Sequence, residues 1–438
     1  MTHGTVDAYR GRVRRSLALF SALAPLVASL LTAGPLTGAA SAASSAPAAA
    51  APARSVSYVE WDTRAELRSG DLTGVRVKRG ALVLDDTPAR ARRLDGRRYD
   101  AGRWTSPWTS PAFALTELIA SWDARTPGDS WIEVSVRGRD AQGRTSSWDV
   151  LGRWAAGDRS FRRTSVGGQD DDLADVAVDT WRAHAAEGLA SWQLRVALMR
   201  RAGASSPSPR VDAIGAVATR LREVESVPTS RPGVARGVVL DVPRYSQMVH
   251  DGHYPAYGGG GEAWCSPTSV AMVLGYYDAL PPKRAWSFVP AGHPQPWVDA
   301  IARSTYDAAY RGTGNWPFNT AYAATRTGRA FVTRLRSMKE AERFIAAGIP
   351  LVISVAFGRG ELSGAPISST NGHLLVVVGF TDDGDVVVND PAAATNAGVR
   401  RTYDRGQLEN VWLPESGGLT YVIADAEHPL PDGGRGAW

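Results

Sequence analysis

The sequence predicts two folded modules in tandem, an all-β sandwich of jelly-roll-like kind followed by an α+β domain. Three observations carry that reading. Short segments of alternating apolar and polar residues recur from Val56 to about Leu221, and helix and strand signals mix from Val238 to Ala426. Between them lies a stretch, residues 226–237, with Pro228, Ser230, Pro232, Gly233 and Gly237, whose composition is that of a linker. With 438 residues, 44% of them hydrophobic and 21% charged, the chain is long enough to give each module its own core.

The first 42 residues read differently from the rest. Arg10, Arg12, Arg14 and Arg15 precede an apolar stretch from Leu17 to about Leu36, which ends in Ala39-Ala40-Ser41-Ala42. Basic, apolar and small-residue segments in that order spell a secretory signal peptide, and Pro25, Pro35 and the cleavage-like run argue against a retained anchor. Arg14-Arg15 before Ser16-Leu17-Ala18-Leu19 loosely fits a twin-arginine signal, so the export route stays open. Removing this leader takes away four Arg and Asp7, and the formal charge of +5 falls to about +2. The basic balance is thus mostly the leader's, and no later stretch concentrates Lys and Arg with interleaved aromatics, which excludes a nucleic-acid partner. No second apolar run is long enough to span a membrane, so the mature protein is expected to be secreted and free of the bilayer. Residues 43–55, mostly Ala, Ser and Pro, read as a disordered spacer.

In the sandwich region, 56–225, Trp131–Val136 and Trp192–Leu198 alternate with the period of two that a half-buried strand requires, and Arg137–Arg144 fits a hairpin turn. Nine of the fifteen tryptophans lie here, from Trp61 to Trp192. Exposed indoles would stack on a cell-wall glycan, whereas alternation with polar neighbours is the pattern of inward-facing core residues, and the core reading is the one adopted. In the second region, 238–426, Ser337 and Glu340 form a capping box opening a helix through Ala347, closed by Gly348 and followed by a buried strand from Ile349 to Phe357. Residues 427–438 are left as a tail.

The chain has one cysteine, Cys265, which in an exported protein is an inert buried thiol, an intermolecular link or a reactive group. It stands before Val270, Val273, Leu274 and Tyr277, whose spacing is one apolar helix face, and Pro267 suits a first turn. A thiol at a helix N-terminus faces the positive end of the helix dipole, which favours the thiolate and so a nucleophile. A thiolate needs a proton acceptor and a third group to orient that acceptor. His373 opens a strand running to Phe380, the turn Thr381–Gly384 follows, and the return strand from Asp385 leads to Asn389-Asp390-Pro391, so that His373 and Asp390 share one end of a hairpin. Asp390 is the chosen partner and Asn389 the fallback, since strand alternation points their side chains to opposite faces. Upstream, Gln247 offers an amide to a developing oxyanion beside the Cys265 backbone N–H.

Other motifs carry less. His250 and His253, with His293 or Asp251, suggest a metal, but a loop His-x-x-His lacks the fixed spacing of a zinc site, and no metal or other cofactor is expected. Gly258 to Gly261 is not followed by Lys-Ser/Thr, so it is no phosphate loop, and there is no Gly-x-Ser-x-Gly elbow.

Val242-Pro243 with Tyr245-Ser246-Gln247, then Cys265-Ser266-Pro267-Thr268-Ser269-Val270, Gly372-His373 and Asn389-Asp390-Pro391 together resemble a C39-like peptidase domain of the papain-like superfamily over residues 238 to 425. The resemblance implies a papain-like fold and hydrolysis of a peptide or protein substrate through a thioester, with Cys265 as nucleophile, His373 as base, Asp390 as orienting acid and Gln247 as oxyanion donor. Ser266 stands where many relatives have glycine, and the interval from Gln247 to Cys265 holds an insertion with His250, His253 and the glycine run. Two further readings are carried with it: a cell-wall amidase or endopeptidase of the same superfamily acting on peptidoglycan stems, and a secreted surface-binding protein without catalysis.

Overall fold

The alternating segments of the first half pair into two antiparallel sheets. In one, the strands Glu117–Arg125 and Arg210–Leu221 lie at the centre; in the other, Ser191–Arg201 runs between Arg97–Thr105 and Ser130–Arg139. Register follows the alternation: Val196 lies opposite Val134 and Leu194 opposite Val136. The two sheets share a core that includes Trp61, Trp104, Trp122, Val134, Trp154, Leu194 and Ile214. Seven of the nine tryptophans are buried, and Trp61 meets the rings of both Trp104 and Trp192 edge-on. Burying such a ring removes on the order of 150–250 Å² from water, so these side chains hold the sheets together. The remaining two, Trp108 and Trp148, are half-buried and interleave with the guanidinium groups of Arg137, Arg139 and Arg195.

This computed structural model describes residues 54–86, 90–170, 172–432 and 436–438; the leader and nearly all of the spacer lie outside them. Among the described residues no helix is long and apolar enough to cross a membrane.

The second half is mixed α/β. Six antiparallel strands line up in the order Arg329–Arg334, Leu419–Ala424, Leu351–Phe357, Thr370–Phe380, Val386–Asn389 and Arg400–Tyr403. The helix Cys265–Tyr276 packs on the strand Thr370–Phe380, with the helices Pro296–Thr305 and Trp316–Thr327 against its other sides. It is therefore buried along its whole length from Ser266 to Leu274 and not on the single face its apolar spacing suggested. Two of its serines find partners inside: Ser269 donates to the Leu374 carbonyl at 3.2 Å, and the Ser266 and Tyr421 hydroxyls meet at 3.1 Å.

The helix Met338–Ala346 starts after Ser337, but not with the expected capping box. Glu340 reaches one residue further back, accepting the Arg336 N–H at 2.8 Å and pairing with its guanidinium at 3.1 Å, because the cation offers more than the Ser337 N–H. A full capping box instead opens the short helix Arg64–Ser69, between Thr63 and Glu66.

The two halves are interlocked. Phe318 and Ala321, from the helix Trp316–Thr327, belong to the sandwich core, while Val56, Ile119 and Val217 belong to the core of the second half. Arg334 pairs with Glu117 at 2.6 Å, and Ser121 Oγ accepts the Val332 N–H at 2.8 Å. The 226–237 stretch is pinned to the second half by Val227 N–H on Asn410 Oδ1, Ser230 N–H on Glu409 and Gly233 N–H on Glu342, all at 2.6–2.8 Å. At the C-terminus Ala437 is buried and Trp438 packs on Phe344, with ring centroids 4.6 Å apart.

Candidate active site

Cys265 is the first residue of its helix, where the leading N–H groups have no partner within the helix. It is half-buried, while His373, on the neighbouring strand, is buried. The packing of helix on strand brings the two together. Burial pushes the Cys265 thiol up, but its interaction with His373, through hydrogen bonding and charge, and the backbone N–H groups of Leu374 and Ser266 outweigh it, and the thiol lies below its ordinary value.

The hairpin places Asp390 beside the far edge of the ring. His373 Nε2 lies 2.8 Å from Asp390 Oδ1, which leaves Nδ1 for the thiol. Burial lowers the imidazole, yet the Asp390 carboxylate and the Cys265 hydrogen bond more than offset it, and His373 is pushed up to about 10. For Asp390 itself burial acts upward, and the charge and hydrogen bond of His373, the Tyr403 hydroxyl and the Ala392 N–H pull it below the usual carboxylate range. Tyr403 donates to Asp390 Oδ2 at 2.7 Å and the Ala392 N–H to Oδ1 at 3.0 Å, so the carboxylate is held from both sides. The three shifts run in one sense, the thiol lowered, the imidazole raised and the carboxylate lowered, which favours charge on each of the three groups.

Asn389 turns away from this group. Its Nδ2 donates to the Pro243 carbonyl at 3.0 Å and its Oδ1 accepts from Arg400 Nε at 2.6 Å, tying the hairpin to the segment that precedes Gln247. Gln247 is buried; its N–H donates to the Pro391 carbonyl at 2.9 Å, and its side-chain amide donates to the Glu262 carbonyl, three residues ahead of Cys265. That bond uses one amide hydrogen and leaves the second, so Gln247 stands beside the turn leading into the nucleophile's helix. Gly261 makes this turn possible: a Cβ there would fall 1.9 Å from the His250 carbonyl oxygen.

Two neighbours escaped the sequence reading. Tyr403 lies thirteen residues beyond Asp390, outside every motif considered, on the edge strand Arg400–Tyr403, and only the sheet order brings it to Asp390. Tyr310 flanks the thiol; burial, then the negative charges of Asp179, Cys265 and Asp307, push its hydroxyl to about 12.

A second group forms where the insertion meets the helix Pro296–Thr305 and the loop before it. His250, His253 and His293 converge on Asp299, with one nitrogen or oxygen from each lying within 4.8 Å of the others. Asp299, on the helix Pro296–Thr305, takes the place considered for Asp251.

A thiol at a helix tip, an imidazole and a carboxylate belong to the chemistry of cysteine peptidases, and comparison with known proteins agrees at the level of family. Residues 239–418 match the model of the Peptidase_C39 like family, and residues 57–219 match the Peptidase C39 N-terminal domain. No curated protein matches the chain. Among solved structures, a beta-1,3-glucanase from Mycobacterium marinum is 14% identical over 36% of this chain and 90% of its own, with a TM-score of 0.18. A glycosylation-associated protein (Gap123) complex from Streptococcus agalactiae is 12% identical over 42% of this chain and 50% of its own, with a TM-score of 0.17. Likenesses so slight carry no argument.

Proposed function

We propose that the protein is an exported cysteine peptidase of papain-like architecture that cleaves a peptide bond through a Cys265 thioester. The observation that carries the proposal is the unbroken line of contacts from the Cys265 thiol through His373 and Asp390 to the Tyr403 hydroxyl. In this reading the thiolate attacks the scissile carbonyl, and the developing oxyanion is met by the Cys265 N–H and the free hydrogen of the Gln247 amide. The His373 imidazolium then gives its Nδ1 proton to the leaving amine, and the neutral ring takes a proton from the water that hydrolyses the thioester. Asp390 keeps its oxygen on Nε2 through both steps, and so Nδ1 always faces the sulfur. Export rests on the basic, apolar and small-residue order of residues 1–42.

Iodoacetamide labelling tests the proposal. The protein should label at Cys265 near neutral pH much faster than free cysteine, and His373→Ala should remove the advantage. A wild-type thiol reacting no faster than free cysteine would leave the surface-binding reading in its place.

A further inference from the structure

We propose that the insertion between Gln247 and Cys265 holds a divalent transition-metal ion of the zinc type, bound by His250 Nδ1, His293 Nε2 and Asp299 Oδ2, with His253 steadying the carboxylate. The three atoms form a small triangle: His250 Nδ1 lies 3.1 Å from Asp299 Oδ2, His293 Nε2 lies 2.9 Å from His250 Nδ1, and His293 Nε2 lies 3.7 Å from Asp299 Oδ2. A tetrahedral ion with bonds of about 2.0–2.1 Å sets its ligand atoms about 3.4 Å apart, so the triangle has the size of one face of such a site.

The protons of the cluster do not account for it. Asp299 and His250 are wholly buried, and Asp299 Oδ2 accepts no hydrogen bond. One proton on the His250 nitrogen serves either His293 or Asp299, and the third atom is left with its lone pair turned inward; a buried polar atom in that state is costly. Protonating more rings sets cations against each other, since the His253 and His293 rings stack with centroids 3.5 Å apart. A cation at the centre satisfies all three lone pairs at once. His253 Nδ1, 2.7 Å from Asp299 Oδ1, is placed to donate to the oxygen that does not face the triangle, the outer-shell arrangement that orients a metal-bound carboxylate. Two imidazole nitrogens with one carboxylate suit zinc and its neighbours in the transition series better than calcium or magnesium, which prefer oxygen alone.

The ligands come from the short helix Gln247–His250, the loop holding His293 and the helix Pro296–Thr305. The ion thus staples the insertion to the domain beneath the turn Gly261 to Trp264, whose indole lies 6.1 Å from the His250 ring. It acts on position, holding Gln247 and the start of the Cys265 helix, and takes no part in bond cleavage. The inference stands whether or not Cys265 is a nucleophile.

The test is titration of the purified, chelator-treated full protein with Co²⁺, followed by Zn²⁺. One equivalent of Co²⁺ should give visible absorption bands of four- or five-coordinate cobalt, which one equivalent of Zn²⁺ removes, and Zn²⁺ should raise the melting temperature. Asp299→Asn and His293→Ala should weaken binding on the order of 100-fold or more, and His253→Ala about 10–100-fold. His293 lies in a loop and is partly exposed, so its variant is the one to use if Asp299→Asn does not fold. A folded wild-type protein without a saturable cobalt spectrum, or an unchanged spectrum in folded His293→Ala, would overturn the proposal. Cys265 labelling, read in the same samples, separates the two ideas: rapid labelling without metal binding sinks only the metal site, and metal binding without rapid labelling sinks only the peptidase.

Discussion

Two groups of histidine and carboxylate lie close together in the second half of this protein, and their stoichiometry sets them apart. At Asp390 one carboxylate meets one imidazole, and the ring's other side meets a thiol. The carboxylate there faces a single ring, so charge is drawn along one line. At Asp299 one carboxylate meets three imidazoles, which leaves more lone pairs than protons. The same residue types thus make a proton relay in one place and a cradle for a cation in the other, and the difference is the count of rings per carboxylate.

The sharpest way to break this contrast is Cys265→Ala. Hydrolysis should fall to background and labelling vanish, while the cobalt spectrum stays; residual peptidase turnover would sink the reading of Asp390 as the relay. His373→Ala should lower kcat/KM by about 10²–10⁴-fold, the usual range for a lost general acid–base, again without touching the metal spectrum.

Asp390→Asn sharpens the electrostatic half of the contrast. Asp390 raises His373 to about 10, and removing its charge should bring the imidazole back toward its ordinary value of about 6.5, moving the alkaline limb of the kcat/KM profile down in pH with roughly tenfold loss at neutrality. Stability should move with it. A group whose pKa is raised on folding stabilises fully below its unfolded value, about 6.5, and that stabilisation disappears as pH rises through about 10. The melting temperature of the variant should therefore fall short of wild type at pH 6 and approach it above pH 10. An unshifted alkaline limb would remove Asp390 from the relay. The smallest effect belongs to Tyr403→Phe, which deletes one hydrogen bond to a charged oxygen, about 1.5–3 kcal/mol in favourable cases. A several-fold fall in kcat with KM little changed and a small downward shift of the alkaline limb are expected; a change in KM alone would make Tyr403 a packing residue.

What the sequence disclosed follows from how local each signal is. Cys265 at a helix start and His373 with Asp390 in one hairpin are short-range patterns, each within about twenty residues, and both elements occur where the spacing put them. The meeting of that helix with that hairpin is a tertiary event no spacing encodes, and it is read here from the resemblance and then from the packing. Asp299 and His293 lie more than forty residues from His250, with no motif between them, so only the docking of the helix Pro296–Thr305 brings them together. The Cys265 helix misled in a different way: Ser266, Thr268 and Ser269 look like a solvent face, yet they are buried because the strand and two helices close around them. Local competition explains the capping box, where Arg336 drew Glu340 away.

Phe318 leaves its own half to fill the other. Its ring meets Trp122 with centroids 6.2 Å apart and crowds Gly152, where a Cβ would come to 3.0 Å from it. A chimera that grafts a foreign sandwich onto these strands and helices would expose an aromatic ring with no socket and leave a hole where it had been. Evolution is held to the same terms, so a change of size at Phe318, Trp122 or Gly152 asks for a matching change across the seam, and the two halves should be inherited as a pair.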